Sequence, residues 1–125
     1  MIEEYPKNGY EIIEEELRKN KRIKQKYNKP GIYCIKIQGR IVYIGKSLNM
    51  LTRISQHIFE INRNKQKSNK YKVLRQAKDN GINIDFDVLK KCYGRNITEL
   101  DSALGDAEAS LIRKHMPALN YQLPH

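Results

Sequence analysis

The stretch GIYCIKIQGRIVYIGK, residues 31–46, governs how the rest of the chain is read. Both flanks are rich in Ile, Val and Tyr, which suit a pleated, half-buried surface, and Gly39 lies between them where the chain must reverse. The stretch reads as a β-hairpin. Within it, Gly31-Ile32-Tyr33 on the first flank is answered by Tyr43-Ile44-Gly45 on the second. Which face each tyrosine occupies depends on the loop. A two-residue loop at Gly39-Arg40 would pair Gln38 with Ile41 and send the tyrosines to opposite faces. A three-residue loop, Gln38-Gly39-Arg40, pairs Ile37 with Ile41 and Ile35 with Tyr43, so that Tyr33 and Tyr43 share a face. Loops of that length with Gly at the left-handed position are common, and that register is the one expected. By pattern alone, the favoured reading of the two tyrosines is as ordinary strand residues.

Before the hairpin, Tyr10, Ile13, Leu17, Ile23 and Tyr27 mark an apolar edge of helical period over residues 9–27. Its glutamates come first and its bases last, an order that complements the helix dipole, and Asn28-Lys29-Pro30-Gly31 stops it. After the hairpin a helix is expected from an N-cap at Ser47 to about Asn64, with Leu51, Ile54, Ile58 and Ile61 inward. A second should run from Ser68 to Asn80, with Leu74 and Ala77 inward and Gly81 as terminator. Ile82, Ile84, Phe86 and Val88 then alternate with other residues at the period of a strand. Thr98 with Asp101 resembles a capping box opening a last helix, which Pro117 ends. The expected fold is a small α/β (α+β) protein, a three-stranded, mostly antiparallel sheet flanked by helices. Residues 1–29 are read as an N-terminal helical extension and 30–125 as the domain proper.

The 125 residues suffice for one ordinary domain. There is no long apolar run to cross a membrane and no secretory leader at the acidic N-terminus. Two cysteines, Cys34 and Cys92, are too few for a disulfide framework or a structural zinc site, which fits an intracellular, reducing, cytoplasmic setting. Lys and Arg total 24 against 14 Asp and Glu, a formal net charge of +10. Residues 18–29 and 61–78 hold 14 of those bases and no acid, so the remainder of the chain is mildly acidic. Two such basic arms suit contacts to a polyanion backbone, most simply nucleic acid. The candidates are Lys19, Arg22, Lys26, Arg63, Lys65, Lys67, Lys70, Lys72 and Arg75. The bland reading of any single one is a solvated lysine.

Two further features carry chemistry. Arg53 and His57 are four apart, so they share a helix face at the rim of the apolar stripe. On the last helix, Glu108 falls between Leu104 and Leu111 in the middle of an apolar stripe. A carboxylate there must be paired, protonated or bound to a metal. A core salt bridge to Arg53 is the alternative to a metal.

Together these residues resemble the GIY-YIG nuclease family over roughly residues 30–121: the two unchanged tripeptides, Lys46-Ser47, Arg53 and His57 at helical spacing, Glu108 on a late helix, and Pro117-Ala118-Leu119-Asn120 after it. The resemblance implies metal-assisted hydrolysis of DNA phosphodiester bonds, with RNA as an alternative substrate and an inactive nucleic-acid-binding module as another. It implies that Glu108 binds one Mg²⁺ or Mn²⁺ and that Tyr33 is the general base. Tyr43 would position phosphate or water, and Arg53 would stabilise the phosphorane. His57 would hold the phosphate or Tyr33, and Asn120 would support the site. Tyrosine is a weak base near neutrality, so Lys46 or Arg53 is expected to help by its charge. The chain ends soon after this core, and target choice is therefore expected from low specificity, a homodimer or a partner protein.

Overall fold

The computed structural model describes residues 25–121. The expected N-terminal helix lies almost wholly outside the described residues, as do Lys19 and Arg22; residues 25–27 are helical. Strands β1 (Gly31–Ile37) and β2 (Arg40–Ser47) form the hairpin, followed by helices α1 (Met50–Asn62) and α2 (Asn69–Asp79), strand β3 (Ile84–Lys91) and helix α3 (Ile97–His115). A short 3₁₀ turn spans Ala118–Asn120. The sheet is antiparallel throughout in the order β2-β1-β3, which puts β1 at the centre and β2 on an edge. The expected three-stranded antiparallel fold is thus what the chain forms.

The hairpin reaches the expected pairing of Ile35 with Tyr43 by a different route. Its turn has two residues, Gln38 and Gly39, both at positive φ (51° and 78°), the arrangement of a turn whose twist matches the strands it joins. Ile37 therefore pairs with Arg40, not Ile41. A bulge between Ile35 and Lys36 then shifts the register, so Ile35 faces Tyr43 and Tyr33 faces Gly45. One extra residue in β2 undoes the flip that a two-residue loop would impose.

Both motif glycines are required by close approach. A Cβ on Gly45 would lie 2.4 Å from the Tyr33 hydroxyl, because the tyrosine ring lies across the glycine opposite it. A Cβ on Gly31 would lie 2.5 Å from the Lys90 carbonyl oxygen of β3.

Two layers cover the sheet. On one face α1 and α2 pack Met50, Ile54, Ile58, Ile61, Tyr71 and Leu74 against Tyr33, Ile35, Ile84 and Phe86. On the other, α3 packs Leu104 and Ala107 against Ile32, Cys34 and Ile44. Tyr27 is buried in the first layer, where its hydroxyl donates to the Phe86 carbonyl at 3.2 Å. Among the described residues no helix is long and apolar enough to cross a membrane.

Two caps differ from expectation. Helix α1 starts after Asn49, not Ser47: the Asn49 side chain accepts from the Thr52 N–H, while the Ser47 hydroxyl donates to the Asn49 carbonyl and shapes the approach. Helix α3 is capped by Asn96 rather than Thr98. The Asn96 side chain accepts from the Glu99 N–H, and the Glu99 carboxylate reaches back to the Arg95 N–H. Asn is as good a cap as Thr, and the earlier start follows from the carboxylate closing the reciprocal bond. Ser68 and Gly81 act as expected at the two ends of α2.

Candidate active site

The shared face of the hairpin delivers Tyr33 and Tyr43 side by side, ring centroids 6.4 Å apart. Helix α1 delivers Arg53 and His57 onto the same side. Their environments differ from the common rim expected of them. Arg53 is half-exposed, but His57 has no solvent exposure at all. Its position three residues after Ile54 and four before Ile61 places it within the buried stripe rather than at its edge. A buried imidazole needs partners for both nitrogens, and it has them. The Tyr33 hydroxyl lies 2.6 Å from Nε2, and the Tyr71 hydroxyl lies 2.8 Å from Nδ1.

The electrostatics around this chain of three groups are uneven. Burial, then the nearby cations Lys70 and Arg53, lower the His57 pKa to about 3, so the ring is neutral at any ordinary pH. Burial, then Tyr43, push the Tyr33 hydroxyl far above the usual tyrosine range. Arg53 acts in the opposite direction, through its charge, but does not win. The Arg53 charge thus acts on Tyr33 in the expected direction, and the cost of burial outweighs it.

Helix α2 supplies two groups that the sequence patterns do not single out for this place. Tyr71 lies within a basic segment, and no local spacing ties it to His57, which lies 14 residues earlier on another helix. Lys70 belongs by sequence to a basic arm suited to backbone contacts. Its ammonium instead lies 4.4 Å from the centre of the Tyr43 ring and 4.7 Å from that of Tyr71. Burial, then Arg53, lower its pKa to about 8.

Other members of the basic set have structural partners. Arg75 pairs with Asp79 at 3.0 Å and donates to the carbonyls of Ile61 and Arg63, closing the C-terminus of α1. Lys26 pairs with Asp87 at 3.4 Å, and Arg63 with Glu60 at 3.3 Å. A segment free of acid in sequence meets acids in space. Lys65, Lys67 and Lys72 are exposed.

The remaining residues meet at the edge strand. Asn120 is anchored by two bonds to one residue of β2: its Oδ1 accepts from the Ile44 N–H at 2.7 Å and its Nδ2 donates to the Ile44 carbonyl at 2.8 Å. It thereby pins the backbone between Tyr43 and Gly45. Two residues along from Ile44, Lys46 extends toward α3, where its Nζ lies 4.0 Å from the place a side chain would begin on Gly105. Glu108, half-buried, is one turn further along α3 on the same side. Neither Arg53 nor any other base pairs with Glu108 among the described residues, so the core salt bridge is not formed. Nor do three His, Cys, Asp or Glu side chains converge to make a metal cage among the described residues.

The arrangement thus has a hydrogen-bonded aromatic half on the α1/α2 side of β2 and a carboxylate–lysine half on the α3 side. A family model described as the GIY-YIG catalytic domain matches residues 29–122. The UvrABC system protein C of Hydrogenobaculum sp. (strain Y04AAS1) is 30% identical over 96 residues, which are 77% of this chain but only 14% of that protein's length. Among solved structures, a mutant of bacteriophage T4 EndoII superposes with a TM-score of 0.57 at 23% identity, covering 76% of this chain and 74% of that one. A point mutant of the GIY-YIG N-terminal endonuclease domain of UvrC from Thermotoga maritima, bound to its catalytic divalent cation, gives 0.51 at 22% identity, covering 86% and 98%.

Proposed function

The chain belongs to the GIY-YIG family, and on that premise we propose that it is a divalent-cation-dependent endonuclease that hydrolyses phosphodiester bonds of DNA. The observation that carries this reading is the Tyr33–His57 pair, a hydroxyl held 2.6 Å from a neutral ring nitrogen with a guanidinium beside it.

Tyr33 does not serve as a standing tyrosinate, because its burial opposes ionisation. It works with His57. As the attacking water forms its bond to phosphorus, it gives a proton to the Tyr33 oxygen, and Tyr33 passes its own proton to Nε2. The bond from phosphorus to the leaving oxygen breaks and that oxygen takes a proton from solvent water; after product departs, His57 returns its proton to solvent through Tyr33, which restores the starting state. The imidazolium is unfavourable at rest, so transfer occurs only as negative charge builds on the phosphate, which favours the transition state over the ground state. Arg53 faces that developing charge, and a guanidinium already in place stabilises it without reorganisation. Tyr43 positions the phosphate, with Lys70 held against its ring as a phosphate contact inside the site.

Glu108 would hold the divalent cation, with Lys46 on a neighbouring phosphate oxygen. A single carboxylate suits Mg²⁺, which keeps most of its water shell and completes its coordination with phosphate. Bound there, the cation would supply charge neutralisation for the reacting phosphate. Asn120 acts by holding the β2 edge in register. Lys26, Arg63, Lys65, Lys67 and Lys72 are proposed as the more distant backbone contacts, and Lys19 and Arg22, outside the described residues, with them.

Incubation with supercoiled plasmid and with RNA, each with Mg²⁺ or EDTA, tests the proposal. Plasmid cleavage that requires Mg²⁺ and is lost in Tyr33→Phe supports it. Cleavage of RNA alone moves the substrate to RNA, since backbone contacts do not separate the sugars unless the 2′-hydroxyl is read. Binding without cleavage of either would reduce the chain to a nucleic-acid-binding module.

A further inference from the structure

His57 carries one proton on two nitrogens, and its neighbours decide which nitrogen holds it. A neutral ring can take Tyr33's proton at Nε2 only if its own proton sits on Nδ1. In most sites a carboxylate or a backbone carbonyl holds that proton in place. The partner here is the phenolic oxygen of Tyr71, 2.8 Å away on a different helix.

The direction of the chain follows from its far end. Tyr33 is the more deeply buried of the two tyrosines, 1% exposed against 8% for Tyr71. Its hydroxyl hydrogen has one acceptor at bonding distance among the described residues, Nε2 at 2.6 Å. The opposite tautomer would leave that buried hydroxyl proton with no such acceptor, which is costly. Nδ1 therefore carries the proton, and the Tyr71 oxygen accepts it. The groups facing the ring are Tyr33 from β1, Tyr43 from β2, Arg53 from its own helix, and Lys70 and Tyr71 from α2. Tyr71 is thus the one member of that set placed to hold Nδ1.

We propose that Tyr71 is a positioning residue for the reaction: by accepting the Nδ1 proton of His57, it keeps Nε2 open to receive the Tyr33 proton. This rests on the nuclease reading above and assigns the second role of α2 in it. A phenol suits the task because it is neutral. A carboxylate in its place would favour the imidazolium at rest, whereas Tyr71 orients the ring without charging it, consistent with the low His57 pKa of about 3.

Two measurements test it. The first needs no variant and no activity: ¹⁵N–¹H correlation spectra of the wild-type imidazole at neutral pH should show the His57 proton on Nδ1. A proton on Nε2 overturns the proposal. The second is Tyr71→Phe, which keeps the ring beneath Lys70 and removes only the oxygen. Its kcat on plasmid should fall by about 10²-fold or more, as when a base is held in the wrong tautomer, with KM nearly unchanged. With the Nδ1 proton left without its acceptor, the share of the ring protonated at Nε2 should rise. Unchanged kcat, or an unchanged tautomer population, sinks the assignment. Wild-type protein that cleaves nothing sinks the nuclease reading instead, and the wild-type spectrum still decides the tautomer.

Discussion

Against one face of the sheet lie Ile32, Cys34, Ile44, Leu104 and Ala107, apolar side chains filling space. Against the other lie Tyr27, Tyr33, Tyr71 and His57 among Ile35, Ile54 and Leu74. The first layer is held by buried area, which is indifferent to direction. The second also contains polar atoms that must find one another, which fixes where each ring sits. The proposed proton relay lies in the second layer, where the hydrogen bonds linking Tyr33, His57 and Tyr71 are formed. The first layer contributes only at its rim, where Glu108 stands with no base paired to it among the described residues. One side of the molecule is thus specified by volume and the other by bonding.

Substitutions should separate the two. Glu108→Gln should cost about 10²–10³-fold in cleavage rate, the size seen when a group stabilising transition-state charge is lost. Its melting curve should be nearly unchanged, because no ion pair is broken. A large loss of stability would show that Glu108 is part of the packing after all. Leu104→Ala should do the reverse. It deletes buried volume and should lower unfolding free energy by about 2–5 kcal/mol in denaturant titration, while cleavage below the transition persists. Gly45→Ala forces a methyl into the Tyr33 ring and should affect both readouts: a loss of about 1–3 kcal/mol by overpacking, with a larger fractional loss of kcat.

Smaller effects concern the cations. Lys70 loses its charge as pH rises through about 8, so affinity for a short duplex should fall between pH 7 and 9 more steeply in wild type than in Lys70→Gln. Equal pH profiles would place Lys70 outside the phosphate-binding surface. Replacing Lys65, Lys67 and Lys72 together by Gln should flatten the salt dependence of binding by about 0.9 in log–log slope for each phosphate no longer neutralised, and leave kcat alone. An unchanged slope would return these three lysines to solvent.

Much of the fold is legible from local pattern. The period of residues 82–88, the Ser68 cap and Gly81 stop, and the alternation in the hairpin are all short-range signals, and each leads to the right element. The hairpin shows where such signals thin out. Gly39 announces a reversal, but nothing in Gln38 announces that it too takes a positive φ, or that a bulge follows. The expected pairing of Ile35 with Tyr43 is right, yet it rests on a loop of the wrong length. The site divides the same way. Glu108 stands out because it interrupts an apolar stripe, whereas Tyr33, Tyr43, Arg53 and His57 stand out as an ordered set through the family resemblance. Tyr71 does neither. It enters because α2 folds back across α1, a fact of tertiary packing. The spacing of His57 from Ile54 and Ile61 does place it in the buried stripe, but its bonding is hidden for the same reason as Tyr71: its two partners come from β1 and α2. Charge counts fail at Arg75 because its partners, Asp79 and two carbonyls, close a helix end that no composition reveals.

The double bond from Asn120 to Ile44 has a consequence in time as well as in space. The two residues are 76 positions apart. Closing so long a loop is entropically slow, so the hairpin can form early with its outer edge bare. Until residue 120 has left the ribosome, the N–H and C=O of Ile44 are an invitation to any other extended chain. Asn120 is in effect a one-residue strand that arrives last. A nascent chain would therefore have both tyrosines paired across their hairpin well before the edge that carries Tyr43 is sealed.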